Sequence, residues 1–514
     1  HLKSSGQRKP LVDIAFDISA SPHGRNPPCF GVDLSPLVDE CVAAAHARSV
    51  NGHLPGGMLY TLFHKLVKFL DVPATFLFVF DGPDRPKIKR GKQVRHQIWW
   101  AAIVENLIQA FGFKTHHAPG EAEAELALLN SRGFIDAIIT SDSDAFVFGT
   151  LCIIRAIPSN GRTNNKQFDD EYELYTQEKI PREFRADRGG LLLFALLSGG
   201  DYSTGISRCG PVTALALVRC GFGDRLLDGI KQFGFEANVN PEGTHGSLKF
   251  TPELVQYLNV WRQDLCKELQ TNSQGFLTSQ QQSMAVSILQ DNDFPNAHVT
   301  WLYAHPKTSE YNSGQPLWYL LRKPNLFAIK EFCHSQLQWV SEEVQIAKFT
   351  RIVFPGVVKR MLYFPLTVYD DTSKKLISPG AQVVLERVGW KARKGKFTSR
   401  YGSTLQPQLT VSVQKLLEMM GIQGRNEKIV LWVAPHALPP KLQHPIKAKH
   451  KKINWMSKTH LSSNAIAGPS RALGDGEGGW SKERSHRLGI IDLTAEDSDS
   501  SNELDEAEVI DLTH

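Results

Sequence analysis

The sequence predicts an α/β protein with a mostly parallel central sheet flanked by helices, followed by a small β-rich module and a disordered tail. Three observations carry that expectation. Short apolar runs alternate with helix-forming stretches from residue 1 to about 235. The clearest of those runs end at acidic or polar clusters. The alternation then gives way to a mainly helical stretch and afterwards to β-like segments. A chain of 514 residues holds two or three domains with tails, and 41% hydrophobic with 22% charged residues is ordinary globular composition.

Taken in order, strands are expected at Leu11–Asp17, Thr75–Asp81 and Ile135–Thr140, and a helix at Leu191–Leu197. One stretch fits badly. A helix is expected after the first strand, yet Ser21-Pro22-His23-Gly24-Arg25-Asn26-Pro27-Pro28 cannot be a regular helix. Residues 236–350 read as mainly helical, broken at Pro295 and Pro306. Residues 351–437 return to β-like segments at Gln382–Arg387 and Ile429–Val433. From 438 to 514 periodicity is lost, and a basic stretch leads through a Gly/Ser-rich linker into an acidic tail. The expected domains are therefore 1–235, 236–350, 351–437 and a tail from 438.

Charge points to a partner. The net charge of +5 is uneven, because residues 490–514 carry nine acidic side chains and no Lys or Arg. The remaining body has 58 basic against 44 acidic residues, which favours a polyanion without separating nucleic acid from an acidic protein or membrane surface. No apolar run approaches the ~18 residues of a membrane span, and His1-Leu2-Lys3-Ser4-Ser5 does not read as a signal peptide. Seven scattered cysteines without a Cys-x-x-Cys pair argue against a disulfide framework or a cysteine zinc site. A soluble intracellular protein is expected.

The most informative segment is Ala118-Pro119-Gly120-Glu121-Ala122-Glu123-Ala124-Glu125-Leu126, a Pro-Gly punctuation followed by a helix-forming run. Glu121 and Glu123 face one site only if Glu121 lies at or just before the first turn. A plain preference of acids for a helix N-terminus accounts for them equally well on this segment alone. Glu125 reads as a helix-surface residue. The next strand runs into Ser141-Asp142-Ser143-Asp144, where an extended chain projects Asp142 and Asp144 together. Asp17 and Asp81 likewise end apolar runs, and Gly199-Gly200-Asp201 follows a helix. A lone strand-end Asp is usually a turn or cap residue. Six or seven converging at the carboxyl edge of a sheet repel one another unless cations neutralise them. Oxygen ligands without clustered His or Cys suit two Mg²⁺ ions, with Mn²⁺ as a substitute, and such a pair hydrolyses phosphodiesters.

The chain resembles the XPG/flap-endonuclease family, most closely its GEN/Yen-type Holliday junction resolvase branch. Ala118–Gly149 resembles the internal nuclease motif, Phe78–Gly91 (FVFDGPDRPKIKRG) the N-terminal motif, and Gly199–Leu217 (GGDYSTGISRCGPVTALAL) the helix–two-turn–helix. The resemblance implies a PIN-like nuclease core with the helix–two-turn–helix near 199–220. It also implies metal and catalytic roles for Asp17, Asp81, Glu121, Glu123, Asp142, Asp144 and Asp201, with Lys89 on the scissile phosphate. Lys87, Lys89, Arg90, Lys92 and Arg95 form a basic cluster beside that site, and Trp99 and Trp100 follow it. Gly205, Arg208 and Gly210 lie where the family's turn binds duplex phosphates and K⁺, with Arg208 standing at a usual glycine and Pro211-Val212 at a usual Pro-Lys pair. The Met-Gly start and Leu-Trp segment usual in the family have no counterpart here. The interval from Asp81 to Glu121 is shorter than in flap endonucleases, which favours continuous-strand substrates over threading of a free 5′ end.

The 351–437 segment stands where GEN-type resolvases carry a chromodomain-like module. Tyr363, Trp390, Phe397 and Tyr401 are a candidate aromatic surface and Lys391, Arg393, Lys394 and Lys396 a candidate DNA patch, although an ordinary small β core explains them as well. Lys447, Lys449, Lys451 and Lys452 read as a nuclear localisation signal or a further DNA contact. The tail repeats a β-branched run among acids, Ile490-Ile491-Asp492-Leu493-Thr494 and Val509-Ile510-Asp511-Leu512-Thr513. Both resemble SUMO-interacting motifs. The expected function is a nuclear Mg²⁺-dependent endonuclease that cuts four-way junctions and 5′ flaps in DNA repair and recombination. It is expected to be a monomer that dimerises on a junction. The alternatives are a 5′-flap endonuclease or exonuclease and a catalytically inactive junction-binding scaffold.

Overall fold

The computed structural model describes residues 6–21, 24–49, 57–89, 92–93, 100–142, 144–157, 171–177, 187–239, 245–291, 293–311, 318, 320–364, 368–370, 375–377, 384–392, 405–435 and 438. The chain divides into two compact units, one reaching to Ser341 and also taking in 367–377, the other beginning at Glu342.

The first unit is built on a seven-stranded sheet. A short edge strand β1 (Gln7–Pro10) leads into helix α1 (Leu11–Ser19), and the first central strand is β2 (Cys29–Asp33), every residue of which is buried. Helices α2 (Leu34–Ser49) and α3 (Gly57–Leu70) lead to β3 (Thr75–Phe80), also buried throughout. A hairpin of β4 (Ile88–Lys89) and β5 (Lys92–Gln93), helix α4 (Ala101–Ala110) and β6 (Lys114–His117) precede helix α5 (Ala122–Ser131). Strands β7 (Ala137–Ile139), β8 (Cys152–Ala156) and β9 (Glu171–Thr176) complete the sheet.

The strand order is β1-β9-β8-β7-β2-β3-β6. The five strands from β8 to β6 run parallel, and β9 and β1 are antiparallel additions at one edge. Runs such as Thr75-Phe76-Leu77-Phe78-Val79-Phe80 lack polar alternation because both sheet faces are covered. Strand β2 lies between β3 and β7, so the chain leaves it to one side first and returns on the other. Open α/β sheets place their sites at such a crevice, at the carboxyl ends of the strands. Helix α5 crosses tightly above β2: a Cβ on Gly31 would lie 2.3 Å from Leu126 Cδ2 and 2.6 Å from Ile135 Cδ1.

The expected strand at Leu11–Asp17 is a helix instead. Leu11, Ile14 and Ala15 are its buried residues, an i, i+3, i+4 stripe, whereas alternation would have made a strand. The described residues of 21–28 then form an irregular link into the true first strand. Arg25 of that link donates through Nη1 to Phe134 O at 2.7 Å and through Nη2 to Gly133 O, fastening it across the α5–β7 turn.

Helices α6 (Arg188–Ser198), α7 (Pro211–Arg219) and α8 (Phe222–Phe233), a hairpin of β10 (Phe235–Val239) and β11 (His245–Phe250), and helices α9 (Pro252–Thr271), α10 (Gln282–Gln290) and α11 (Ala297–Ala304) follow. The helices share one core around Leu193, Leu217, Leu226, Trp261 and Leu265. Helix α12 (Leu326–Leu337) closes this part, its Phe332 stacked on Phe63 of α3.

The second unit has helices α13 (Glu342–Lys348) and α14 (Phe354–Tyr363), joined by a π-helical turn, and an antiparallel sheet of three strands, Val384–Ala392, Leu405–Ser412 and Lys428–Trp432. Leu409, Val411, Ile429 and Leu431 of the last two strands are buried, as are Leu416 and Leu417 of a short helix between them. No helix among the described residues is long and apolar enough to cross a membrane.

Candidate metal centre at the carboxyl ends of the strands

The site begins with the way α5 is set. Gly82 N donates to Gly120 O at 2.6 Å and Asp84 N to Pro119 O at 3.0 Å, which seats the 118–121 turn directly against the loop after β3. A side chain at Gly82 would strike Ala118 O at 1.9 Å, so this approach needs glycine. Asp81 accepts from Ala122 N at 2.9 Å through Oδ1, and from Ser35 Oγ (2.8 Å) and Arg85 Nη1 (2.9 Å) through Oδ2. It anchors the start of α5. Glu121 is the N-cap, in extended conformation, and Glu123 lies in the first turn. That is the arrangement in which two acids two residues apart face one place.

Asp33 ends β2, 3% exposed, and accepts from Thr140 Oγ1 at 3.3 Å. Asp142 and Asp144 do come together, but in a turn where an extended segment was expected. Asp142 N donates to Thr140 Oγ1 (3.1 Å), Asp144 N donates to Asp142 Oδ1 (3.0 Å), and Asp144 opens a 3₁₀ turn. Asp201, beyond α6, donates its N–H to Asp144 Oδ2 at 3.3 Å. Carboxylate oxygens of Glu123, Asp142 and Asp201 lie within 4.8 Å of one another. Lys89 Nζ pairs with Glu121 and, at 2.9 Å, with Asp201. Tyr202 OH donates to Glu121, and Tyr303 OH donates to Asp144 Oδ2 at 3.3 Å.

Two expectations are corrected here. Asp17 is on α1, half-exposed, and paired with Lys9; the carboxylate that ends the first central strand is Asp33. A signal for Asp33 was present, since the helix-breaking Ser21–Pro28 right after the Asp17 segment leaves Cys29–Asp33 as the next apolar run able to open the sheet. Glu125 is no surface residue. It is completely buried and accepts from His116 Nε2 (2.8 Å), Tyr311 OH (2.6 Å) and Ser309 N (2.8 Å).

Electrostatics favours a cation at the cluster. Burial, then the charges of Asp81 and Asp142, pushes Asp33 well above the usual carboxylate range. Burial, then Asp33 and Asp142, does the same to Glu123. Asp144 is pushed up to about 6 by burial and by Asp142 and Asp201. Glu121 is raised by burial, with Lys89 opposing. Burial works against the charge of Lys89, yet Glu121, Glu123 and Asp201 hold it above its ordinary value. Burial and mutual repulsion thus oppose ionisation of Asp33, Glu123 and Asp144, and further positive charge would relieve both. The donors are oxygen alone, which fits a hard divalent cation such as Mg²⁺ or Mn²⁺.

Lys87 is exposed beside this site, and Trp100 is half-buried just before α4. Arg90, Arg95 and Trp99 lie outside the described residues, as does the side chain of Lys92. Between α6 and α7, Gly205 has φ +74° and Arg208 φ +64°, with the Arg208 side chain exposed, and Gly210 is the N-cap of α7. A left-handed backbone at Arg208 explains why glycine suits that position. In the second unit Tyr363 and Trp390 are half-buried and Lys391 is exposed, while Arg393, Lys394, Lys396, Phe397 and Tyr401 lie outside the described residues. So do Lys447, Lys449, Lys451 and Lys452 and the tail residues Ile490, Ile491, Leu493, Val509, Ile510 and Leu512.

Residues 112–201, which include α5, β7 and Asp201, match the XPG I-region. Flap endonuclease GEN-like 1 of Arabidopsis thaliana is 37% identical over 158 residues, 30% of this chain and 25% of that protein. Over these segments the chain is similar to XPG/GEN-type nucleases. DNA repair protein RAD2 of Saccharomyces cerevisiae is 28% identical over 241 residues, 47% of this chain and 19% of RAD2. The match thus spans about a quarter or less of the length of these relatives. Among solved structures, the junction-resolving enzyme GEN-1 binding sodium superposes with a TM-score of 0.61 at 25% identity, covering 85% of this chain and 93% of that one. The Holliday junction-resolving enzyme GEN1 with product DNA and Mg²⁺ has the same fold, with a TM-score of 0.57 at 24% identity over 84% and 92% of the two chains.

Proposed function

We propose that the chain is a Mg²⁺-dependent, structure-selective DNA endonuclease that cuts four-way junctions and 5′ flaps in repair and recombination. The observation that carries this reading is the meeting of Glu123, Asp142 and Asp201 at one cluster, with Asp33, Glu121 and Asp144 beside them, at the carboxyl edge of the parallel sheet. These six residues are the proposed holders of two divalent ions. Such ions, when bound, lower the pKa of a water and neutralise charge at a phosphodiester.

The remaining roles fall to the chain's own groups. Asp81 orders α5 through Ala122 N, and so sets Glu121 and Glu123. Lys89 supplies a cation at the carboxylates for the scissile phosphate, with Lys87, Arg90, Lys92 and Arg95 extending the contact. The α6–α7 turn, with Gly205, Arg208 and Gly210, grips duplex phosphates through backbone N–H groups and is the proposed seat of a K⁺ ion, in keeping with a relative that binds potassium. Between Asp81 and Glu121 the described residues hold a two-stranded hairpin, α4 and β6. That short interval supports continuous-strand substrates. From sequence alone, the lysines at 447–452 support a nuclear location and the two tail repeats support binding to SUMO. Symmetrical nicking of a junction would require two copies on DNA.

The test is cleavage of matched four-way-junction and 5′-flap substrates in Mg²⁺ and in EDTA, with the Asp142→Ala/Asp144→Ala double variant as control. Paired, Mg²⁺-dependent cuts on the junction that vanish in the variant are expected. Cutting of the flap alone removes the junction assignment, and tight binding without any cutting removes the enzyme.

A further inference from the structure

We infer that residues 303–311 form a strap that sets the geometry of the carboxylate cluster, with Tyr311 and Ser309 positioning α5 through Glu125 and Tyr303 positioning Asp144. The inference rests on the nuclease reading for its consequence but not for its geometry.

The strap touches the cluster from two sides. At its start, Tyr303 is 1% exposed, donates to Asp144, and packs its ring 4.6 Å from that of Tyr202, whose hydroxyl reaches Glu121. In its middle, the backbone passes so close to the residue before Glu121 that a Cβ on Gly120 would lie 2.6 Å from Lys307 O. At its end, Ser309 N and Tyr311 OH close on the two oxygens of Glu125. A buried carboxylate bound by three donors is stiff in position and direction. Glu125 lies on α5 two residues beyond Glu123 and four beyond the N-cap Glu121, so any turn or slide of α5 that moves one moves all three. His116 lies nine residues before Glu125, but Ser309 and Tyr311 come from the strap, far away in sequence, so the clamp is complete only when the whole unit has folded.

Tyr311→Phe isolates the effect, because the ring keeps its edge contacts to Phe134 at 5.3 Å and Trp318 at 6.2 Å and only the hydroxyl is lost. Two readouts are needed: Mn²⁺ affinity of the DNA-free protein, and single-turnover cleavage of the junction. Tyr311→Phe is expected to weaken Mn²⁺ binding and slow cleavage by roughly tenfold, the usual scale for groups behind metal ligands. Junction affinity should stay within about twofold and Tm within about 3 °C. Glu125→Gln is expected to act in the same direction and more strongly. If Tyr311→Phe folds with parental Mn²⁺ affinity, the strap has no positioning role, and this variant decides even if Glu125→Gln fails to fold. If the parent binds Mn²⁺ but cuts neither junction nor flap, the nuclease reading fails while the Mn²⁺ comparison still decides the strap.

Discussion

Phe16-Asp17-Ile18-Ser19 and Val32-Asp33-Leu34-Ser35 are nearly the same four residues in chemical terms, and the fold treats them in opposite ways. The first lies at the end of a helix, with its aspartate exposed and paired to Lys9. The second ends a strand buried along its length, and its aspartate is forced beside other acids at the sheet edge. What separates them lies outside the four residues. Upstream, Leu11, Ile14 and Ala15 have helical spacing, while Cys29–Val32 is short and apolar throughout. Downstream, the Ser21–Pro28 stretch follows one aspartate, and a sixteen-residue helix with Pro36 in its first turn follows the other. A carboxylate becomes chemistry when the element that carries it delivers it to a crowded, buried edge.

The largest effect expected from this contrast is on cleavage. Asp33→Asn should lower single-turnover cleavage on the order of 10²–10³-fold, the scale of losing one group from a preorganised charged site. Asp17→Asn should leave cleavage unchanged and cost at most about 0.5 kcal/mol, since it loses one exposed ion pair. Asp33→Asn should also raise the stability of the metal-free protein in thermal melts, because it removes a carboxyl whose ionisation burial and its acidic neighbours oppose.

The next effect is in the linkage of metal, pH and stability. Asp144 titrates near 6 in the folded chain and near 3.8 when unfolded, and Asp33 and Glu123 are raised likewise. The folded state therefore holds more protons than the unfolded one in that window, and these groups cost stability as pH rises through it. A divalent cation relieves the cost. The stabilisation by a fixed Mg²⁺ concentration should thus grow from pH 5 to pH 7, reaching about 2.7 kcal/mol where that concentration is a hundredfold above Kd. In Asp33→Asn the growth should be smaller, and in Asp17→Asn the same as in the parent.

Packing gives a smaller effect. Gly31→Ala, one residue into the buried run before Asp33, should cost about 1–3 kcal/mol in denaturant unfolding, because Leu126 and Ile135 must move. The smallest effect concerns Arg208. Replacing it by glycine should relieve about 1 kcal/mol of left-handed backbone strain, reduce the salt slope of DNA binding by about one, and leave Mn²⁺ affinity unchanged.

Much of the site was readable where the chemistry was contiguous. The Pro-Gly punctuation before Glu121 and the strand before Asp142 place their acids locally, and α5 and β7 form as the spacing implied. Even there the geometry differed, because a side-chain bond from Asp144 N to Asp142 Oδ1 turns the chain out of its extended path. Glu125 was misread since nothing local marks it: His116, Ser309 and Tyr311 become its partners only through the tertiary fold. Tyr303 was overlooked for the same reason. Asp33 was hidden behind a similar local pattern, and only the helix-breaking Ser21–Pro28 hinted that the first core strand lay further on.

The most direct measurement is anomalous scattering from a crystal of the protein soaked in Mn²⁺. The account predicts density at the carboxylates of Glu123, Asp142 and Asp201, reaching toward Asp33, and none at Asp17. Density absent from that cluster, or present at Asp17, would contradict it.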